Sequence, residues 1–373
     1  MPTTRLKNAK RVVVKVGSNV LTARNDLNTA VIESISNQIC RLIDNGLEVL
    51  VVSSGAMAAG LRKMALKQRP DQIPQRQAIA AVGQSGLMNA YEKAFGRYDK
   101  KVAQILLTSE DLNNRERYLN ARNALYALLA WKVVPIINEN DTVKVEEIKL
   151  GDNDNLSAMI ALLMDADFLI NLTDIDGLYN MDPRTHKEAR LITQVTVFKK
   201  ELEAYAGDIP GTLGTGGMLS KIRAAQKVTA AGVPMIITAG HKPDILIRLF
   251  AGERHGTYFV PKDKKLARRK CWIAYTLKPK GALVIDDGAA SAILKNGKSL
   301  LPSGILAVEG EFGVGAAVAF KNRQQHLGIG LVNYTATEIR AIMGLRTNQI
   351  KAKLGSKPYD EVIHRDNLVI TDN

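Results

Sequence analysis

Five consecutive residues, Gly151-Asp152-Asn153-Asp154-Asn155, set two carboxylates and two amides directly before an apolar helical stripe of Leu156, Met159, Ile160 and Leu163. Asp and Asn suit the unbonded N–H groups of a helix start, so one of them is expected as a cap. A cap needs one side chain, and the excess calls for chemistry. A second polar group, Asn138-Glu139-Asn140-Asp141, lies just upstream. Cations complete the set. Lys15 interrupts an otherwise apolar valine run, and Lys221 stands one turn into a helix that follows the glycine-rich segment Gly211 to Gly217. Glycines before a helix let backbone N–H groups approach phosphate oxygens, and the helix dipole favours the anion. The segment is neither GxxxxGK[ST] nor GxGxxG, because Leu219 stands where the last glycine of the latter belongs. Together these residues supply cations for phosphates, backbone donors and a carboxylate-rich pocket.

Strand and helix signals alternate around them. Arg11 to Val16 and Glu48 to Val52 are β-branched runs that end at Gly17 and at Ser53-Ser54-Gly55. Similar runs at Val102 to Leu107, Val133 to Ile137, Phe168 to Leu172 and Met235 to Thr238 alternate with helical segments at Thr29 to Asp44, Arg76 to Phe95, Arg115 to Trp131 and Met218 to Ala231. This order predicts a mostly parallel sheet sandwiched by helices, an α/β fold. Such sheets gather ligands beyond the carboxyl ends of their strands, where Lys15, Gly17, Ser54, Asp141, Thr173 and Asp174 all fall.

At 373 residues the chain suits two domains, and no run of 18 or more apolar residues or secretory leader is visible. Cytoplasmic residence without membrane insertion is the resulting expectation. Two distant cysteines and five scattered histidines support neither disulfides nor structural zinc. The formal charge of +14 is concentrated late, since residues 256 to 357 carry 17 Lys or Arg against 6 Asp or Glu. The run Lys262 to Lys270 is expected as a solvated domain boundary. Beyond it, Ala282 to Ile285, Ala316 to Phe320 and Gly328 to Val332 alternate with glycine-rich turns, as in a small β-rich barrel.

In order along the chain, VVVKVGSNVLT (12–22), VSSGAMAAG (52–60), INENDTV (137–143), EIKLGDNDNLSAMIA (147–161), LTDIDGLYNMDPR (172–184) and GTGGMLSK (214–221) resemble the amino-acid kinase family, most specifically its glutamate 5-kinase branch. Single motifs are shared across the family, whereas the ordered set is specific. The resemblance extends through a C-terminal PUA-like domain. It implies a kinase domain at residues 1–260, a linker at 261–278, the PUA-like domain at 279–357 and a C-terminal tail at 358–373. Asn19 and Ser53 depart from the family pattern, which more often has Thr or Ser there.

The implied reaction moves the γ-phosphoryl group of ATP to the γ-carboxylate of L-glutamate, the first step of proline biosynthesis. Lys15 and Lys221 match the family's catalytic pair, and Asp154 the carboxylate that orients them. Ser54, Asp141 and Asn153 match the glutamate site, with Asp141 receiving the ammonium. Lys15, Gly17, Thr173, Asp174 and the run Thr215, Gly216, Gly217, Met218, Leu219, Ser220 and Lys221 match the nucleotide site. Gly17 and Gly55 are expected to offer backbone N–H groups to the ligands, and Ser54 is compatible with capping the helix after it. Mg2+ is expected to arrive as Mg-ATP, with no protein residue named as its ligand. The family further implies feedback inhibition by proline, a homo-oligomer (dimer or tetramer) and a downstream glutamyl phosphate reductase as partner. PUA domains also bind RNA, but aromatic residues are few in this one, which favours regulation or assembly.

Overall fold

The β-branched runs become strands because both of their faces are covered. The computed structural model describes residues 2–23, 26–143, 152–198, 202, 217–262, 268–275, 277–322 and 325–370. It divides into two units, residues 1–265 and 266–373. Ten strands of the first unit are β1 (Arg11–Val16), β2 (Thr22–Ala23), β3 (Asp26–Leu27), β4 (Glu48–Ser53), β5 (Lys101–Leu107), β6 (Val133–Glu139), β7 (Phe168–Thr173), β8 (Gln194–Val195), β9 (Met235–Ala239) and β10 (Thr257–Phe259). β2 and β3 form a small hairpin. The other eight make one sheet in the order β5-β6-β4-β1-β7-β9-β10-β8, parallel except where β10 meets β9.

The central strand β1 lies between β4 and β7, pairing Lys15 with Val52 on one side and with Asn171 on the other. Side chains alternate between faces along a strand. Val12, Val14 and Val16 accordingly join a core with Val49, Val51, Phe168, Ile170 and the helix residues Ile32, Ile35, Leu87 and Tyr91. Val13, Lys15 and Asn171 belong to the opposite face. The helix Asp152–Leu163 packs there, against β1, β7 and the helix Met218–Ala230.

The longest helix, Ile73–Gly96, begins with Pro74 in its first turn and crosses the helix Ala56–Lys63 at backbone contact. Gly60 and Gly83 make this crossing possible. A Cβ on Gly83 would lie 1.8 Å from the Ala56 carbonyl oxygen, and one on Gly60 would lie 1.9 Å from that of Ile79. No described helix is long and apolar enough to cross a membrane.

The second unit has its own core, built from Leu283, Ile285, Val318, Phe320, Tyr334 and Ile339 among others. Its strands β11 (Ala282–Ile285), β12 (Ile305–Glu309), β13 (Ala317–Lys321), β14 (His326–Leu331) and β15 (Leu368–Ile370) follow the order β12-β11-β13-β14-β15. Two segments differ from expectation. Within the span 261–278, expected as a linker, Arg268–Tyr275 is a helix whose Trp272 and Ile273 are buried. Within 358–373, expected as a tail, β15 pairs with β14 and buries Leu368 and Val369. In each case apolar side chains hold the segment down, and the charged residues around them obscure that pattern.

Candidate active site

Asp154 is the centre of the site. It lies in the first turn of the helix Asp152–Leu163 and is completely buried. Both carboxylate oxygens are fully engaged. Oδ1 lies 2.6 Å from Lys15 Nζ and accepts from Asn171 Nδ2 at 2.9 Å. Oδ2 lies 3.2 Å from Lys221 Nζ and accepts from Ser220 Oγ at 2.5 Å. Lys15 comes from β1 and Lys221 from the first turn of the helix Met218–Ala230, so segments more than 200 residues apart converge on one carboxylate.

The charges respond to this crowding. Burial raises the pKa of the Asp154 carboxyl, but the two ammonium groups and the hydrogen bonds from Lys15 and Ser220 outweigh it and hold the group well below the usual range. Burial lowers that of Lys15; Asp154 opposes this and Lys221 reinforces it, with a net downward shift. Two cations on one anion leave a surplus positive charge in a dry site, which suits a phosphate-bearing partner.

A polar chain runs beside this cluster. Asn153 Nδ2 faces Ser54 Oγ and Asn138 Oδ1, each at 3.0 Å. Asn138 Nδ2 donates in turn to Gln84 Oε1 at 2.9 Å. Gly55 follows Ser54 with a φ of +108°, a backbone conformation open chiefly to glycine. Ser53 is buried under the same loop and shares a 2.9 Å hydrogen bond with the Tyr91 hydroxyl, whose pKa burial pushes up to about 12 against that bond's lowering effect. Asp141 follows the end of β6 by two residues, and its negative charge opposes the lowering of the Arg69 pKa by burial and Arg76.

Thr173 ends β7, Asp174 follows it, and the two form a third group. Asp174 accepts from Asn19 Nδ2 at 2.9 Å and from Thr173 Oγ1 at 3.0 Å. Burial raises its carboxyl pKa, and these bonds, aided by the charge of Lys221, bring it below the usual range. Gly217 caps the helix that begins with Met218, Leu219 and Ser220; Thr215 and Gly216 lie outside the described residues, as does the side chain of Asp152.

Two expectations need correction. The Gly17 N–H donates to the Leu172 carbonyl oxygen at 3.0 Å, so it joins β1 to β7 and is not available to a ligand. Ser54 does not cap the helix Ala56–Lys63, which has Gly55 at its N-cap and no side-chain cap; its hydroxyl faces Asn153 instead. Sequence reasoning also missed Asn171, Gln84 and the pairing role of Asn138. A buried amide in an apolar strand or on an apolar helix face was the one available signal.

Comparison with known proteins agrees with this geometry. Residues 10–239 match the amino acid kinase family and residues 281–354 the PUA domain. The glutamate 5-kinase of Thermoanaerobacter pseudethanolicus is 50% identical over 364 residues, covering 97% of this chain and 98% of that protein. That of Geobacter metallireducens is 51% identical over 372 residues, covering 99% and 100%. With Syntrophus aciditrophicus glutamate 5-kinase the identity is 50% over 366 residues, covering 98% and 95%. Matched to the family over more than half its length and half-identical to these enzymes along nearly all of it, the chain belongs to the amino acid kinase family, in its glutamate 5-kinase group with a C-terminal PUA domain.

Proposed function

We infer that this kinase transfers the γ-phosphoryl group of ATP to the γ-carboxylate of L-glutamate, giving ADP and L-glutamyl 5-phosphate, the first step of proline biosynthesis. The observation that carries the reading is the buried Lys15–Asp154–Lys221 cluster beside the Ser54–Asn153 group. Phosphoryl transfer asks the protein chiefly to hold two anions in line and to stabilise the charge spread over the moving group. An oxygen of the γ-carboxylate forms the new bond to phosphorus as the bond to the ADP oxygen breaks. No base is required, because the nucleophile is already ionised at neutral pH. Lys15 and Lys221 neutralise the phosphoryl oxygens while Asp154 keeps both ammonium groups in place.

Asp141 and Asn153 serve the glutamate, the first as acceptor for its ammonium group. Thr173, Asp174 and the segment Thr215 to Lys221 serve the nucleotide. Magnesium would enter on the triphosphate, held by phosphate oxygens and water. The four donors on Asp154 fit that carboxylate for aligning lysines rather than for coordinating metal. Consumption of ATP supports a cytoplasmic place of action. Family membership supports proline as feedback inhibitor, assembly into a dimer or tetramer, and delivery of the labile acyl phosphate to a reductase.

The deciding experiment measures ADP release with glutamate, N-acetylglutamate, aspartate and carbamate, and traps acyl phosphate as hydroxamate. Glutamate alone is expected to support turnover. Equal activity on N-acetylglutamate would contradict ammonium recognition by Asp141.

A further inference from the structure

Gln84 sits on the helix Ile73–Gly96 and is more than nine-tenths buried. Its contact with the pocket has a direction. The backbone N–H of Glu139 donates to Asn138 Oδ1 at 2.9 Å. A backbone N–H can only donate, so the Asn138 oxygen must face it and the Asn138 NH2 must face away, toward Gln84. Gln84 therefore turns its oxygen to that NH2, at 2.9 Å. Asn153 meets oxygens on its other side, Asn138 Oδ1 at 3.0 Å and the Ser53 carbonyl at 3.3 Å, so its NH2 must point there. What remains is Asn153 Oδ1, which is buried and has no hydrogen-bond partner among the described residues, like Gln84 Nε2 at the far end of the chain.

We propose that Gln84 is a positioning residue for the amino-acid substrate: together with the Glu139 N–H, its side-chain oxygen holds Asn138 in place so that Asn153 presents a carbonyl oxygen, not an NH2, to the substrate ammonium. The proposal rests on the glutamate kinase reading. An ammonium group has three donors, so Asn153 Oδ1 complements Asp141 without competing with it. Without an acceptor at position 84, the Asn138 NH2 is buried unpaired, and rotation cannot relieve it without setting that NH2 against the Glu139 N–H. Asn138 is then displaced from the contacts that hold it, and Asn153 Oδ1 loses its aim at the ammonium. The helix crossing holds Gln84 to this task, because its neighbour Gly83 is pressed against the Ala56 backbone.

The test uses the full chain with Gln84→Met, which keeps volume but removes the acceptor, and Gln84→Glu, which keeps an oxygen facing Asn138. Gln84→Met is expected to raise the glutamate KM by ~10-fold, about the effect of one lost hydrogen bond in a dry site, while the ATP KM and melting temperature stay near wild type. Gln84→Glu is expected to restore most of the glutamate affinity. An unchanged glutamate KM in Gln84→Met, equal damage from both variants, or a loss shared between both substrates would each overturn the proposal. Should Gln84→Met not accumulate as folded protein, Gln84→Ala removes the same acceptor and is judged by the same two constants. Wild-type protein with no glutamate-dependent ADP release would overturn the kinase reading, and this proposal with it, before any variant is compared.

Discussion

Asp154 holds two lysines with one carboxylate, and each residue of the trio is exposed to a different loss. Lys15→Ala or Lys221→Ala removes a positioned charge stabiliser and is expected to lower kcat by ~10²-fold or more; turnover within a few-fold of wild type would move the chemistry elsewhere. The Lys15 ammonium, its pKa lowered by burial, loses its proton at a pH below the ordinary lysine value of 10.5. The alkaline limb of kcat/KM for ATP, which reports the free enzyme, should therefore fall below that pH. Asp154→Asn should bring it lower still, since the Asp154 charge opposes the shift. A limb that moves upward in this variant would refute the assignment. For folding the sign is set by the carboxyl. Its folded pKa lies below the ordinary 3.8, so the stability it contributes is complete above that value and disappears as the pH falls through the lower folded one. Wild type and Asp154→Asn should converge in acid unfolding titrations below that window.

Among the elements, the helix Ile73–Gly96 has the largest unannounced role. Its Gln84, Leu87 and Tyr91 lie on one face and reach Asn138, the Gly55 turn and Ser53 respectively. The 3.6-residue rhythm makes this segment readable as a helix, yet nothing local marks that face as the wall of a pocket. Gly83→Ala puts a methyl group into the Ala56 carbonyl, and neither backbone can yield without separating the helices. It should destabilise the protein by ~1–3 kcal/mol and weaken glutamate more than ATP. Thermal melting together with the two KM values checks this, and a neutral substitution would show that the crossing is slack.

At the scale of the whole molecule, the two units have separate cores, and every residue placed in the candidate site lies in the first. Phe320→Ala, which empties a fully buried position in the second core, should lower that unit's stability by ~3–5 kcal/mol. Glutamate-dependent turnover below the melting range should change little; a collapse of kcat there would mean that the second unit completes the site. The strands β1, β4 to β7, β9, β11, β13 and β14, the long helices and Lys15, Asp154 and Lys221 as a set were legible in the sequence, because β-branched runs, helical periodicity and ordered motifs are local signals. Arg11–Val16 and Thr29–Asp44 were readable to the residue. The partners of those residues were not. Asn171 meets Asp154 because β7 lies beside β1 in the sheet, and Gln84 reaches Asn138 because one helix crosses another on two glycines. The commitment of the Gly17 N–H to Leu172 likewise depends on strand order. The sequence by itself determined where most of the elements form and which charges the site contains. Only the tertiary structure decided which amide faces which oxygen, because a hydrogen bond is set by a few tenths of an ångström between segments that the chain order leaves far apart.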